Sequence, residues 1–268
     1  SEQAESSPDG SESALERIRS RGTLRVGYRD QRLPFTFRNT SGQLVGYDID
    51  LAHLLAGDLG VKLELVPMEN SKGAELLSAG AIDVVMSGAV VTPQRALEVE
   101  FTNPYLEETV AFVVPDHRRN EFATGESIKE LKGIRLAIPR NLPQLREWVT
   151  PFLTDPQIEF VDAPDDFFSP ERGPYDALLY SAEAGSAWTL RYPEFSVVVP
   201  QPTIHRTPVA FPVTPGDDRM RTFLNTWIDL KRKDNTLSRL YDYWILGKSN
   251  DSAAPRWSVI RNVLHWVD

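Results

Sequence analysis

The residues with the clearest chemical potential are Thr92-Pro93-Gln94-Arg95. Threonine as N-cap and proline at the first helical position start a helix, which puts Arg95 at its third position. A capping box would place Glu or Gln there, and the positive end of the helix dipole disfavours a cation by ~0.3–1 kcal/mol. Two readings account for the arginine. It leans outward and pairs with Glu98, a surface contact worth ~0.2–0.5 kcal/mol. Alternatively, the free amides and the guanidinium fork together receive a carboxylate or phosphate.

Other chemistry is sparse. The four histidines, His53, His117, His205 and His265, fall in no nucleophile or metal spacing and are expected to be solvated or structural. The chain has no cysteine, which excludes disulfides, cysteine-ligated zinc and thiol catalysis. No Gly-rich phosphate loop occurs, and no metal or cofactor is expected. A net charge of -9 with no basic stripe argues against nucleic acid as a partner. No apolar run approaches the ~20 residues of a membrane span.

The elements that must position Arg95 follow from the pattern. With 268 residues and 41% hydrophobic content, the chain can bury one large or two modest cores. "ALERIRSRG" reads as a short helix closed by glycine, "TLRVGY" as a strand, and "LPFTFRNTSGQLVGYDI" as a hairpin around a Ser-Gly turn. "DIDLAHLLAGDLG" reads as a helix stopped by Gly60, and "VKLELVP", "GAELLSAG" and "IDVVMSG" as strand, helix and strand. The last of these ends at Ser87-Gly88, just before Arg95. This alternation implies an α/β fold with mostly parallel sheets. It repeats after Pro115, from "IKELKGIRLAIP" to "FSVVVP". "PVAFPV" is one more strand and two helices close the pattern.

The polar "DHRRNEFATGES" and the proline-rich "PQPTIHRTP" read as two crossings between lobes, with hinges expected near Val113–Asp116 and Thr203–Pro208. The resulting division is 1–22 as a flexible lead-in and short helix, 23–113 plus 208–247 as one lobe, and 114–207 as the other. Residues 248–268 form a tail, with Trp257, Ile260, Leu264 and Val267 at helical spacing. Ligands in open α/β sheets bind beyond the carboxyl ends of strands, which is where Arg95 lies.

Three stretches in order, "TLRVGY...LPFTFRNTSGQLVGYDIDLAHLLAGDLG", "IDVVMSGAVVTPQRALEVEFTNPY" and "FLNTWIDLKRKDNTLSRLYDYWILG", resemble the type-II periplasmic binding proteins. Within these they are similar to the family 3 type, the polar amino-acid-binding proteins of ABC importers. The resemblance spans about Thr23 to Gly247. It implies a monomeric, exported protein with a signal peptide, periplasmic or extracellular, that serves a membrane transporter or is fused to a membrane domain. It also implies two lobes that close on a small carboxylate or amino-acid ligand gripped by Arg95.

The same resemblance marks Ser87, Gly88, Val90, Arg29, Arg32, Phe35, Arg140, Asn141, Tyr180, Ser181 and Glu183 as positions around the ligand. Several depart from the family pattern. Val90 replaces a hydroxyl, Pro143 removes a backbone donor beside Asn141, and Ser181 stands where an aspartate usually holds the ligand's ammonium. Arg29 stands where an acidic or small residue is typical, and Arg32 where an aromatic often stacks. With Arg140 also on a cleft-facing segment, the expectation is a positive cleft and an acidic ligand, a dicarboxylate or acidic amino acid. Alternatives are a ligand-sensing domain of a membrane receptor or transporter fusion, or an enzyme resembling cyclohexadienyl dehydratases with Glu183 as catalyst. The leading reading is a binding protein and not an enzyme.

Overall fold

The computed structural model describes residues 12–69, 72–169, 171, 173 and 175–247. The lead-in before Glu12 and the tail helix expected at 248–268 lie outside the described residues.

A small parallel sheet places Thr23–Tyr28 between Lys62–Pro67 and Val84–Val85, with Thr23 opposite Lys62 and Gly27 opposite Val85. A larger sheet runs Phe195–Val198, Leu106–Pro115, Ala177–Ser181, Arg135–Pro139, Gln157–Val161. Its last three strands are parallel, and the long Leu106–Pro115 strand is antiparallel to both its neighbours. Ala177–Ser181 is buried at every position, as an interior strand covered on both faces must be. The architecture is the two-lobed α/β type.

One strand serves two ladders. Leu106–Thr109 pairs with Arg206–Val209, while Val110–Val113 pairs with Ala177–Ser181 and Phe112–Pro115 with Phe195–Val198. The crossing expected at Val113–Asp116 therefore falls inside the larger sheet, where Val113 faces Leu178 and Val197. Residues 116–122, read from sequence as part of a polar crossing between lobes, form a 3-10 turn. The next helix, Gly125–Glu130, starts at a Thr124–Ser127 capping box. "PVAFPV" splits into Arg206–Val209 and Pro212–Val213, because Ala210 turns its N–H to Ala89 O.

Elsewhere the local rules hold. The helix Tyr47–Leu59 ends at Gly60 in the left-handed region, and Thr92 caps Pro93–Ala96 by accepting from Arg95 N. The closing helices Asp218–Lys233 and Thr236–Trp244 are tied down by Trp227 Nε1 donating to Asp58 and Trp244 Nε1 to Asp50. Tyr105 of "FTNPY" stacks on Phe211 at 4.2 Å and lies 6.0 Å from Tyr47, so this motif is core.

Gly46 precedes the Tyr47–Leu59 helix at φ 137, and a Cβ there would sit 2.1 Å from Phe35 O. Gly46→Ala is expected to destabilise the protein by roughly 2 kcal/mol or more, since backbone must move to admit it. A circular-dichroism melt unchanged from wild type would contradict this packing.

Candidate functional site

The carboxyl ends of the small sheet's strands lead into the loops that carry Arg29, Arg32 and Ser87–Arg95, and Asn141 and Tyr180–Glu183 approach from the larger sheet. Arg95 bridges the two sides. Its Nη1 donates to Val90 O at 2.7 Å and its Nη2 to Asn141 O at 2.9 Å. It makes no ion pair with Glu98 among the described residues, so the outward surface pair does not form. Burial pulls its guanidinium down to about 10, helped by the like charge of Arg32.

Arg29 is the more isolated cation. Its backbone N–H donates to Ser87 Oγ and its carbonyl accepts from Thr36 Oγ1. Among the described residues its guanidinium makes neither a hydrogen bond nor an ion pair. Burial, then repulsion from Arg95 and Arg32, brings it to about 10, so it stays charged at neutral pH. Arg29 and Arg95 line one cavity of about 140 Å³, with Val85, Ala89, Val99 and Phe101 as apolar walls and the exposed Glu69 and Glu98 at its edge.

Arg32 has a different role from these two. It is 7% exposed, donates from Nε and Nη2 to Gly88 O and from Nη2 to Glu108 Oε1, and lies 4.8 Å over the Phe35 ring. Burial is the largest single influence and lowers its pKa, but the charge and hydrogen bond of Glu108 together with Tyr180 and Tyr105 outweigh it, and the net shift is upward. The other oxygen of Glu108 accepts from Ser181 Oγ, so a chain Arg32–Glu108–Ser181 ties the loop after the first strand to the larger sheet. Glu108 was not anticipated from sequence. The available signal was a pair of acids, Glu107-Glu108, inside an otherwise apolar strand.

The structure corrects several expectations. Phe35 is fully buried and packs edge-on against Tyr47, so it is a floor beneath the site and no ligand platform. Ser87 Oγ is engaged by Arg29 N and Thr36 Oγ1, and Gly88 N–H donates to Asp48 at 2.7 Å, so neither donor is free for a ligand. Val90 is buried and contributes only its carbonyl to Arg95. Arg140 is exposed and ion-paired to Asp162 at 2.7 Å, outside the central arginines, because that carboxylate lies on the same surface. Glu183 is buried and accepts from Thr109 N at 2.9 Å, engaging the long strand. Tyr180 and Ser181 do line a second, tight cavity with Arg32, Val90, Glu108 and Gln144. His205 stacks on Trp148 at 5.2 Å, a structural use.

Two acids in this region are held in an unusual state. Burial raises Asp48 to about 7 against the opposing bonds from Tyr105 and Gly88, and burial with the negative charge of Glu108 raises Glu183 to about 8. A carboxyl that binds its proton more tightly folded than unfolded supports the fold fully at low pH. That support drains away as pH rises from its unfolded value through its folded one. The melting temperature should therefore fall between pH 5 and 9, with Glu183 contributing up to about 5 kcal/mol. Glu183→Gln should flatten this slope; an identical slope in the variant would contradict it.

Comparison with known proteins fits this geometry. Residues 24–247 match the bacterial extracellular solute-binding proteins, family 3. Cyclohexadienyl dehydratase of Pseudomonas aeruginosa is 25% identical over 251 residues, covering 90% of each chain. The L-cystine-binding protein TcyJ of Escherichia coli K12 is 24% identical over 234 residues, covering 87% of this chain and 86% of that one. The crystal structure of an ancestral amino acid-binding protein, a precursor of cyclohexadienyl dehydratase, superposes with a TM-score of 0.73 at 30% identity. That superposition covers 87% of this chain and 99% of the other.

Proposed function

The chain belongs to family 3 of the bacterial extracellular solute-binding proteins, and we propose that it captures an acidic small molecule between its lobes for delivery to a membrane transporter. The observation that carries this is the pair Arg29 and Arg95, two part-buried guanidiniums on one cavity with no carboxylate partner among the described residues. Charge removed from water without a partner is costly, so the arrangement favours a ligand that brings negative groups. A dicarboxylate or an acidic amino acid supplies them. Arg95 keeps further N–H donors beyond the two carbonyl bonds, and an arginine fork suits a carboxylate better than a point charge does.

The amino-acid names of two relatives support the size class of the ligand. We take the paired segments Leu106–Thr109 and Arg206–Val209 as the hinge, since they pair antiparallel just before the long strand enters the larger sheet. The dehydratase relative raises an enzymatic reading. Glu183, its candidate acid, is 4% exposed and holds Thr109 N–H, so it presents little surface to a substrate, which supports binding without turnover.

A thermal-shift screen with L-glutamate, L-aspartate, succinate and glutarate against L-arginine, L-lysine and L-histidine tests the proposal. A ligand at 100 times its dissociation constant should stabilise the fold by ~2.7 kcal/mol. Arg29→Ala and Arg95→Lys should each weaken an acidic ligand by ~2–5 kcal/mol, while Glu98→Ala changes little. Stabilisation by the basic amino acids alone, or equal small effects at Arg95 and Glu98, would sink it. Incubation with prephenate or arogenate should yield no aromatic product; a product would promote Glu183 to catalyst.

A further inference from the structure

We infer that Arg32 is a built-in cation that occupies Glu108 and so sets the ligand class: a dicarboxylate that carries no ammonium group, in preference to the matching amino acid. The inference rests on the acidic-ligand reading and narrows it.

An α-amino acid needs a carboxylate in the cleft to receive its ammonium, so each acid near the arginines matters. Glu108 is 1% exposed and holds Arg32 on one oxygen and Ser181 on the other. Asp48 accepts from Gly88 N and from Tyr105 OH, both at 2.7 Å. Glu183 accepts from Thr109 N. Glu69 and Glu98 are exposed at the outer edge of the Arg29–Arg95 cavity, where an ammonium gains little in high dielectric. Of the three buried acids, Glu183 alone has a single donor and no cation, but burial with the negative charge of Glu108 pushes it up to about 8, so at neutral pH it offers a ligand's ammonium no charge.

Arg32 is also firmly seated. It shares Gly88 O between Nε and Nη2, stacks over Phe35, and meets Glu108 inside a cavity of about 10 Å³, room for a single water. On the same cavity both amide atoms of Gln144 are buried without a hydrogen-bond partner. The cleft therefore has cations and a spare amide to offer, and its central carboxylate is already taken by the protein's own guanidinium. A second cation brought by the ligand would meet like charge from Arg29, Arg32 and Arg95. Removing Arg32 reverses this, because Glu108 is then open beside Ser181 and Gln144.

Titration calorimetry with two matched pairs, succinate against L-aspartate and glutarate against L-glutamate, isolates the ammonium. The wild-type protein should hold each dicarboxylate at least about tenfold tighter than its amino-acid partner, as expected where like charges are juxtaposed. Arg32→Met should abolish or reverse that preference. Arg32→Met combined with Glu108→Gln removes both charges, which protects folding, and should lose the preference without gaining affinity for either amino acid. Circular dichroism establishes that each variant is folded; should Arg32→Met not fold, wild type against the double variant decides. Equal wild-type affinity for glutarate and L-glutamate, or an Arg32→Met protein that keeps the dicarboxylate preference, would overturn the role of Arg32 and leave the acidic-ligand reading standing. Wild-type preference for L-arginine or L-lysine over all four acids would overturn that reading itself.

Discussion

A charge taken out of water must find a partner, and Glu108 is the partner on which the centre of this molecule depends. It sits on the long strand that both ladders share, one residue before Thr109, whose N–H is held by Glu183. From there it receives Arg32 from the loop after the first strand and Ser181 from the start of the 182–191 helix. Truncating one member of such a buried pair typically costs 3–5 kcal/mol, because the other charge is left uncompensated. The contact therefore fixes where the Arg32 loop lies, and through Gly88 O it fixes the turn that leads to Arg95.

Below that pair lies a layer of polar groups that bind one another. Gly88 N–H and Tyr105 OH both donate to Asp48, and Ser87 Oγ accepts from Arg29 N and bonds to Thr36 Oγ1. Gly88 itself takes φ 59 against the face of Phe35, where a Cβ would approach a ring carbon to 2.4 Å. These bonds hold the turn rigid and use up donors that might otherwise reach a ligand. Above them the balance changes, with Arg29 and Arg95 left facing a cavity whose acids, Glu69 and Glu98, are exposed and pair with neither of them among the described residues. Structure and recognition are thus divided between two sets of residues a few positions apart in the chain.

Much of the fold was legible because short-range rules govern it. Gly22 and Gly60 close their helices in the left-handed region, and Thr92-Pro93 starts its own. The position of the crossing was less legible. The strand leaves one ladder for the other between Thr109 and Val110, two β-branched residues that show no break. At the site, Arg95 could be picked out because it conflicts with a helix dipole. Arg29 could be picked out through the resemblance, as a charge where an acidic or small residue is typical. Arg32, Arg140 and Phe35 looked equivalent to these, and only tertiary pairing separates them: Arg32 with Glu108, Arg140 with Asp162, Phe35 under Gly88. A pairing 76 residues apart, such as Arg32 with Glu108, leaves no local trace in the chain.

The central claim is that the unpaired arginines, and not the acids, receive the ligand. A crystal structure of the protein with glutarate tests it most directly. The account expects carboxylate oxygens within hydrogen-bond reach, about 2.7–2.9 Å, of both the Arg29 and Arg95 guanidiniums, with Arg32 still on Glu108. Density for glutarate away from both arginines, or Arg32 swung off Glu108 to meet it, would contradict the account.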